Sequence, residues 1–294
     1  MLMLVLTLIA NPNSRDISNE LAREIANDIG TGSINWLADG AACDIGLLPS
    51  EATELKVSEM IAEAPIDFAI QPNENRRKKA LIADMDSTMI EQECIDELAA
   101  EVGIKDEVSA ITAKAMNGEI DFDAAVEKRV ALLKGLNADV TDAIIRNRIT
   151  FASGGATLVR TMKASGAYTA LVSGGFTTFT SRIGATLGFD ENRANVLETD
   201  DGKLTGEVRK PILGAAAKVV ALNEIAGTLG CTASDFIAVG DGANDLPMLQ
   251  MAGTGVALHA KPNVAAKSKI KINHGDLTSL LYLQGYCESE FVNG

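Results

Sequence analysis

Three apolar segments of this chain each end abruptly in polar residues, and that pattern constrains the fold more than any other feature. The segments and the residues that follow them are 80–83 with Asp84, 168–172 with Ser173-Gly174-Gly175, and 236–239 with the motif GDGAND at 240–245. Sequence with helical spacing separates them. Continuously apolar strands that alternate with helices are typical of a parallel sheet covered on both faces. We therefore predict an α/β fold with a doubly wound parallel sheet, whose polar groups gather at the carboxyl ends of its strands.

The stretch between the first two of these strands, residues 85–167, is far longer than the roughly dozen residues that a parallel crossover requires. Its apolar spacing predicts four helices, at 92–101, 105–117, 122–134 and 139–147. Helices inserted beside an active edge are typical of a lid that excludes water and selects substrates. We predict a helical cap at about residues 91–150.

The N-terminal part of the chain predicts a smaller α/β domain. Its expected order is β-α-β-β-α-β, with elements at 2–9, 14–29, 33–37, 42–48, 51–62 and 66–70. That order is typical of a ferredoxin-like domain, and by topology it resembles the ACT-type amino-acid-sensing domains. A regulatory domain and a packing or dimerisation domain are both open, so a homodimer is one option. The polar segment QPNENRRKK at 71–79 predicts a linker, which divides the chain into domains at 1–75 and 76–294.

Composition excludes several classes of partner. Of the 294 residues, 47% are apolar, which suffices for a sizeable core, and the net charge is −14. Nucleic acids and anionic membranes require clustered Lys and Arg, so we expect neither as a partner. We expect a small anionic substrate held by a locally cationic site. No segment is long and apolar enough for a membrane span, and four cysteines without a CxxC pair indicate reduced thiols and a cytoplasmic protein.

Asp84 and Asp86 are carboxylates one residue apart, so in an extended strand they point to the same face. Their mutual repulsion requires a positive charge nearby. Mg²⁺ prefers oxygen ligands and commonly binds one or two carboxylates together with phosphate oxygens. The GDGAND motif brings Asp241 and Asp245 to the same edge of the sheet, which strengthens the prediction of a magnesium site.

Other residues could complete a site for a phosphorylated substrate. The hydroxyl of Ser173, followed by two glycines, would offer unencumbered N–H groups to phosphate oxygens. Lys218 follows three alanines in a helix, and these small side chains would let a partner approach closely. Arg129 shares an apolar helix face with Phe122 and Val126. There it either forms a structural ion pair or clamps a substrate carboxylate with two hydrogen bonds.

The motifs DMDST at 84–88, SGG at 173–175, Lys218 and GDGAND at 240–245 occur in the order and strand context of the haloacid dehalogenase (HAD) superfamily of phosphatases. The chain resembles that superfamily over roughly residues 80–285. Within it, the segments EQECIDELA (91–99), MNGEIDFDAAVEKRVALLKG (116–135) and VSGGFTTF (172–179) resemble the phosphoserine phosphatases. The resemblance implies a HAD-like fold and a Mg²⁺-dependent hydrolase that acts on O-phospho-L-serine through an aspartyl-phosphate, as the last step of serine biosynthesis.

The resemblance also implies roles for individual residues. Asp84 would be the nucleophile, and Asp86 would be the acid that protonates the leaving serine hydroxyl and then the base that activates water. Asp84, the backbone carbonyl of Asp86, and Asp241 would bind Mg²⁺. The residues that would bind substrate are Ser173, Gly174, Lys218 and Asn244 at the phosphoryl group, Glu93 at the ammonium, Arg129 at the carboxylate, and Met116 and Phe122 in the closing cap.

Three other functions are open at this stage. A signalling receiver also phosphorylates an aspartate beside Mg²⁺, but it carries no large cap and needs no acid two residues after that aspartate. A phosphomutase or phosphotransferase could share the core motifs, although Glu93 and Arg129 favour an amino-acid monoester. Phosphohomoserine or phosphothreonine could take the place of phosphoserine as the substrate.

Overall fold

The computed structural model describes residues 4–47, 53–116 and 120–293. The strands are β1 (Leu4–Ala10), β2 (Gly30–Ala38), β3 (Ala42–Leu47), β4 (Ile66–Pro72), β5 (Ala80–Ala83), β6 (Tyr168–Phe176), β7 (Glu191–Asn195), β8 (Leu197–Asp200), β9 (Lys203–Val208), β10 (Phe236–Gly240), β11 (Thr254–Leu258) and β12 (Ile270–Ile272). The helices are α1 (Asn19–Ile29), α2 (Thr53–Ile61), α3 (Cys94–Glu101), α4 (Lys105–Met116), α5 (Phe122–Ala131), α6 (Val140–Asn147), α7 (Gly155–Ala164), α8 (Thr177–Leu187), α9 (Ala215–Leu229), α10 (Leu246–Met251), α11 (Pro262–Ala265) and α12 (Ser279–Leu283).

The larger sheet has six strands in the order β12-β11-β10-β5-β6-β7, and every neighbouring pair is parallel. Alternate residues of β5 point to opposite faces. Leu81 and Ala83 face the core on the side of α7, α8 and α12, whereas Ala80 and Ile82 face α9 and α10. Both faces are therefore covered, and the predicted doubly wound parallel sheet is confirmed.

The N-terminal sheet has the order β2-β3-β1-β4, and its pairs are antiparallel. With α1 and α2 packed on one face through Ile25 and Val57, this is the ferredoxin-like arrangement that we predicted. Helix α1 begins at Asn19 rather than at the expected residue 14. The Ser18 hydroxyl accepts a hydrogen bond from the Leu21 amide and caps the helix. The helix therefore begins five positions later than the sequence pattern indicated.

Helices α3 to α6 form the cap between β5 and α7. The two chain segments that enter and leave it are joined by an isolated antiparallel bridge between Ile90 and Phe151. A short β8–β9 hairpin, which the sequence analysis missed, also contacts the cap, because the Gly135 amide donates to the Leu204 carbonyl. The cap is thus tied to the rest of the molecule at its base and at one side.

The polar segment at 71–79 is more than the linker we predicted. Gln71 and Pro72 belong to β4, and the Arg76 guanidinium is buried against Asp44 of β3 and the carbonyl oxygens of Tyr282 and Leu283. Arg76 is buried by partners that are distant in sequence, and the local composition of the segment does not reveal them. The division at residues 75 and 76 stays a prediction.

The two sheets share one hydrophobic core. Ile9 and Ala69 of the N-terminal sheet belong to the same buried cluster as Leu277 and Leu281 near α12. The Asp67 carboxylate reinforces this contact by accepting hydrogen bonds from three successive amides, those of residues 273, 274 and 275. Among the helices that the structure describes, none combines the length and apolarity that a membrane span needs.

Candidate active site

Three neighbouring strands of the large sheet deliver polar residues to one edge. Asp84 follows β5, Ser173 lies near the end of β6, and Asp241 follows β10. The order β10-β5-β6 places Asp84 between the other two. The Asp84 amide donates to the Val239 carbonyl at 3.0 Å, which fixes the backbone at the strand end. The prediction that these motifs meet at the carboxyl edge is confirmed.

Beneath that edge lies a buried cluster of acids. In the described ranges, Asp84, Asp241 and Asp245 each offer a carboxylate oxygen, and these atoms all lie within 4.8 Å of one another. Burial, reinforced by the charge of Asp245, raises the pKa of Asp84 well above its ordinary value and that of Asp241 to about 7. The Thr88 hydroxyl, which the sequence analysis missed, donates to Asp241 at 3.2 Å.

Lys218 is completely buried and bridges two of these acids. Its Nζ lies 2.6 Å from Oδ1 of Asp84 and 2.6 Å from Oδ1 of Asp245. Burial lowers the pKa of Lys218, but the charges of Asp245 and Asp84 outweigh that effect, and the pKa is raised. We had placed Asp245 at this edge without a role. The structure shows that it holds Lys218 and accepts a bond from the Gly242 amide.

The charges of this cluster do not balance. Lys218 is in direct contact with Asp84 and Asp245, and Lys261 lies 3.9 Å from the third carboxylate, Asp241, so three carboxylates face two lysines. Clustered carboxylate oxygens are the donors that a hard divalent cation prefers. The buried, oxygen-only donor set at this edge fits such an ion.

Asp86 lies beside the start of α3. Its Oδ1 accepts a hydrogen bond from the Cys94 amide at 3.3 Å. Burial and the charge of Glu93 raise the pKa of Asp86 to about 7, against the opposing effect of the Cys94 hydrogen bonds. A Cβ atom at Gly175 would stand 2.8 Å from Oδ2 of Asp86, so only glycine leaves room for this carboxylate.

Glu93 immediately precedes α3 and is held by a serine. Oε1 of Glu93 accepts a hydrogen bond from the Ser87 hydroxyl at 3.0 Å. Ser87 adopts the left-handed conformation with φ of 55°, which is uncommon for a residue other than glycine. The hydrogen bond and this backbone turn together aim Glu93 at the cavity, where it is one of the lining residues.

Arg129 reaches the same cavity from α5. Its Nη1 donates to the Thr112 hydroxyl at 2.9 Å and its Nε donates to the Ala125 carbonyl at 3.2 Å. Burial lowers the pKa of Arg129, while the charges of Glu93, Asp96 and Asp86 oppose that shift. The guanidinium thus stays a cation in a largely dehydrated position.

The segment Ser173-Gly174-Gly175 at the end of β6, called the β6 loop here, meets the cap at Gly174, and the residue before α9, Gly214, meets it as well. A Cβ atom at Gly174 or at Gly214 would lie 3.0 Å from the Phe122 ring, so this ring packs closely on both. The Ser173 hydroxyl accepts from the Gly175 amide at 2.9 Å, and the Gly174 carbonyl accepts from Asn195 at 2.8 Å. These bonds hold the loop in a fixed shape below the cap.

The cavity between sheet edge and cap has a volume of about 110 Å³. Nine of the residues that we singled out from the sequence line it: Asp84, Asp86, Glu93, Phe122, Arg129, Ser173, Gly174, Asp241 and Asn244. Lys218 is buried beneath the cavity rather than in its wall. Met116 ends α4, and its side chain lies outside the described part of the chain. The cavity thus combines carboxylates of the sheet edge with Glu93 and the Arg129 guanidinium of the cap side, so it offers both anionic and cationic groups to a ligand.

Comparison with known proteins agrees with this class of site. Residues 81–250 match the family model of haloacid dehalogenase-like hydrolases. A probable phosphoserine phosphatase of Schizosaccharomyces pombe is 46% identical over 216 residues, which are 73% of this chain and 72% of that protein. This chain belongs to the haloacid dehalogenase-like hydrolase family, as the motif resemblance indicated.

Two solved structures extend the comparison. A HAD family hydrolase from Salmonella enterica serovar Typhi superposes with a TM-score of 0.84 at 33% identity, and the match covers 98% of this chain and 99% of that one. A phospho-aspartyl intermediate analogue of phosphoserine phosphatase superposes with a TM-score of 0.66 at 41% identity, covering 70% of this chain and 98% of that one. The first similarity includes the N-terminal sheet, whereas the second covers a smaller share of the chain.

Proposed function

We propose that this chain is a Mg²⁺-dependent phosphoserine phosphatase, which hydrolyses O-phospho-L-serine to L-serine and phosphate as the last step of serine biosynthesis. One observation supports the proposal: the carboxylates of Asp84 and Asp86 line the same cavity as a cation, Arg129, and an anion, Glu93. A zwitterionic amino acid esterified with phosphate matches that distribution of charge. The names of the relative from S. pombe and of the solved phospho-aspartyl analogue agree with this assignment.

Asp84, Asp241 and the backbone carbonyl of Asp86 would hold Mg²⁺, while Asp245 engages Lys218. When bound, the ion offsets the repulsion between a carboxylate nucleophile and a dianionic phosphate ester. Lys218 contributes to the same end, because its ammonium lies 2.6 Å from Oδ1 of Asp84 and so orients that carboxylate. Four free cysteines support a reducing, cytoplasmic compartment.

The covalent step uses Asp84. One carboxylate oxygen of Asp84 forms a bond to phosphorus while the bond between phosphorus and the serine oxygen breaks. Asp86 gives its proton to the departing oxygen, so the serine leaves with a neutral hydroxyl. Asp86 then takes a proton from water, whose oxygen attacks phosphorus and releases phosphate from Asp84. A pKa of about 7 suits a group that both gives and accepts a proton near neutrality.

The remaining residues bind and orient the substrate. Ser173, Gly174 and Asn244 line the cavity beside the reacting carboxylates and would bind phosphoryl oxygens together with Lys218. In the upper part of the cavity, Arg129 would bind the substrate carboxylate with parallel hydrogen bonds. Glu93 would accept hydrogen bonds from the ammonium.

Phe122 covers the β6 loop from the cap side, where a ring packed on Gly174 limits access of water. Met116, at the end of α4, would close the cap beside it. Because the buried arginine and the reacting carboxylates line the same cavity, the cap would couple recognition of the amino acid to the phosphoryl transfer.

Replacing Arg129 with alanine tests the assignment of the substrate. Arg129 is 8% exposed, and removing one partner of a desolvated charged pair commonly costs a few kcal/mol, or roughly a hundredfold or more in rate. We expect kcat/KM for O-phosphoserine to fall by that factor. The loss for O-phosphoethanolamine, which has no carboxylate, should be much smaller.

The neighbouring Lys128, which is exposed on the same helix, provides the control, and its alanine variant should match the parent protein on both substrates. Thermal unfolding of each variant establishes that it is folded at the assay temperature. Equal losses on the two substrates would show that Arg129 does not recognise the carboxylate, and no turnover of phosphoserine by the parent protein would refute the proposed activity.

A further inference from the structure

We propose that Thr112 is a positioning residue for substrate recognition: its hydroxyl holds the Arg129 guanidinium in the orientation that binds the substrate carboxylate. The inference rests on the proposed function. Thr112 lies on α4 and Arg129 on α5, so a single hydrogen bond of 2.9 Å links two helices of the cap at the wall of the cavity. Both side chains are 8% exposed.

The Thr112 hydroxyl has one proton and two acceptor lone pairs. Its proton goes to the Val108 carbonyl, one turn earlier on α4, at 3.2 Å. The bond to Val108 fixes the rotation of the hydroxyl, so its lone pairs are turned away from the α4 backbone and towards Nη1 of Arg129. A threonine that only satisfied its own helix would need no partner on α5. The hydroxyl therefore acts as a fixed acceptor for the arginine.

The donors that remain on Arg129 define how it meets a carboxylate. A guanidinium has five N–H donors, and the bonds to Ala125 and Thr112 use two of them, which leaves three. Because Nε is occupied, the edge formed by Nε and Nη2 cannot bind both oxygens of a carboxylate. Both Nη2 hydrogens and the second Nη1 hydrogen remain for a carboxylate, and Thr112 sets their direction by holding Nη1.

The hydrogen bond to Thr112 restrains Arg129 against the attraction of nearby acids. The acids that act on Arg129 are Glu93, Asp96 and Asp86, of which Glu93 acts most strongly. In the described part of the chain Arg129 nevertheless forms no ion pair with a carboxylate. A guanidinium released from Thr112 would be drawn towards Glu93, and the two would neutralise each other. Thr112 keeps them apart, so that Arg129 and Glu93 stay available for the opposite ends of a zwitterion.

The experiment compares Thr112→Val with Thr112→Ser. Valine has nearly the shape of threonine but no oxygen, whereas serine keeps the hydroxyl. Because hydrogen bonds to charged groups are among the stronger ones, we expect Thr112→Val to lower kcat/KM for O-phosphoserine by about tenfold or more. The kcat/KM for O-phosphoethanolamine should fall about tenfold less than that for O-phosphoserine, so that it changes little. Thr112→Ser should stay within about threefold of the parent protein on both substrates.

A double-mutant cycle separates positioning from packing. If Thr112 acts through Arg129, then Thr112→Val has little further effect on phosphoserine turnover in the Arg129→Ala background. Additive losses, equal losses on the two substrates, or a serine variant as impaired as the valine variant would each overturn the inference. Thermal unfolding shows whether each variant is folded during the assay. If Arg129→Ala discriminates the two substrates but Thr112→Val does not, only this inference fails; if the parent protein does not hydrolyse phosphoserine, the proposed function fails with it.

Discussion

Replacing Arg76 with alanine should destabilise the whole molecule, because one buried guanidinium joins the N-terminal sheet to the rest of the chain. Its Nη1 lies 2.6 Å from Oδ2 of Asp44, and its Nη2 donates to Oδ1 of Asp44 and to the Thr7 hydroxyl, both at 3.1 Å. Nη2 also donates to the Tyr282 carbonyl and Nε donates to the Leu283 carbonyl, both at 3.0 Å. Alanine would leave all of these acceptors without the arginine.

The magnitude follows from the burial of the pair. The side chains of Arg76 and Asp44 are only 7% and 10% exposed, and removing one partner of a buried ion pair costs about 3–5 kcal/mol. The variant leaves the Asp44 carboxylate buried without its counter-charge, which is the main part of that cost. For a chain of this size each kcal/mol lowers Tm by about 2–4 °C, so we expect Tm to fall by roughly 10 °C.

The matched control is Arg77→Ala. Arg77 is the next residue and also forms an ion pair, at 2.8 Å to Glu290, but its side chain is 50% exposed. It also lies over the Tyr286 ring at 4.0 Å. An exposed pair with a cation–π contact contributes about 1–2 kcal/mol, so its loss should lower Tm by only a few degrees. Thermal and urea unfolding measure both variants, and an Arg76→Ala protein no less stable than Arg77→Ala would refute the reasoning.

Three further predictions concern the site and the domains. Asp84→Asn should lose turnover completely, since an amide cannot serve as the nucleophile. In EDTA its Tm should be no lower than that of the parent protein, because the substitution removes one of three crowded carboxylates. Phosphate release by a folded variant that has been checked for deamidation would contradict this prediction. EDTA should abolish activity and Mg²⁺ should restore it, while Ca²⁺ should support turnover poorly because its bonds to oxygen ligands are longer and its coordination geometry is looser. The increase in Tm that Mg²⁺ produces should be smaller in Asp241→Asn than in the parent protein. Full activity in metal-free buffer would contradict the metal assignment. A fragment of residues 76–294 would keep every proposed catalytic residue, but it would lose the apolar contacts of Ile9 and leave Arg76 without Asp44. We therefore expect the purified fragment to unfold at a much lower temperature than the full chain, and an equal Tm would contradict this.

The position of the site at the carboxyl edge of the sheet could be predicted from the sequence, because a general rule connects polar residues that follow apolar strands with that edge. Asp84, Ser173 and Asp241 each follow an apolar strand, and parallel strands align their carboxyl ends. Nothing comparable fixes distances between side chains. We predicted Lys218 as a phosphate contact, but only the fold shows its ammonium between Asp84 and Asp245.

Other structural features could not be predicted from the sequence because they depend on contacts between residues distant along the chain. The β8–β9 hairpin has short strands with few apolar residues, and its partner is the cap rather than the sheet. Arg76 lies in a segment whose polar composition indicates a linker, whereas its burial arises from Asp44 and from carbonyl groups more than two hundred positions later. Thr112 resembles any helical threonine until α5 is packed against it. In each case the missing information was a tertiary contact.

The bond network of Asp67 sets an order of events during synthesis. Its carboxylate, 4% exposed in the finished protein, accepts from the amides of residues 273, 274 and 275, and 206 positions separate it from the first of these. At about 5–20 residues per second, roughly 10–40 s pass on the ribosome between the two. Throughout that interval Ile9 and Ala69 lack their packing partners Leu277 and Leu281. The nascent chain, rather than the native enzyme, is therefore the form that most needs a chaperone.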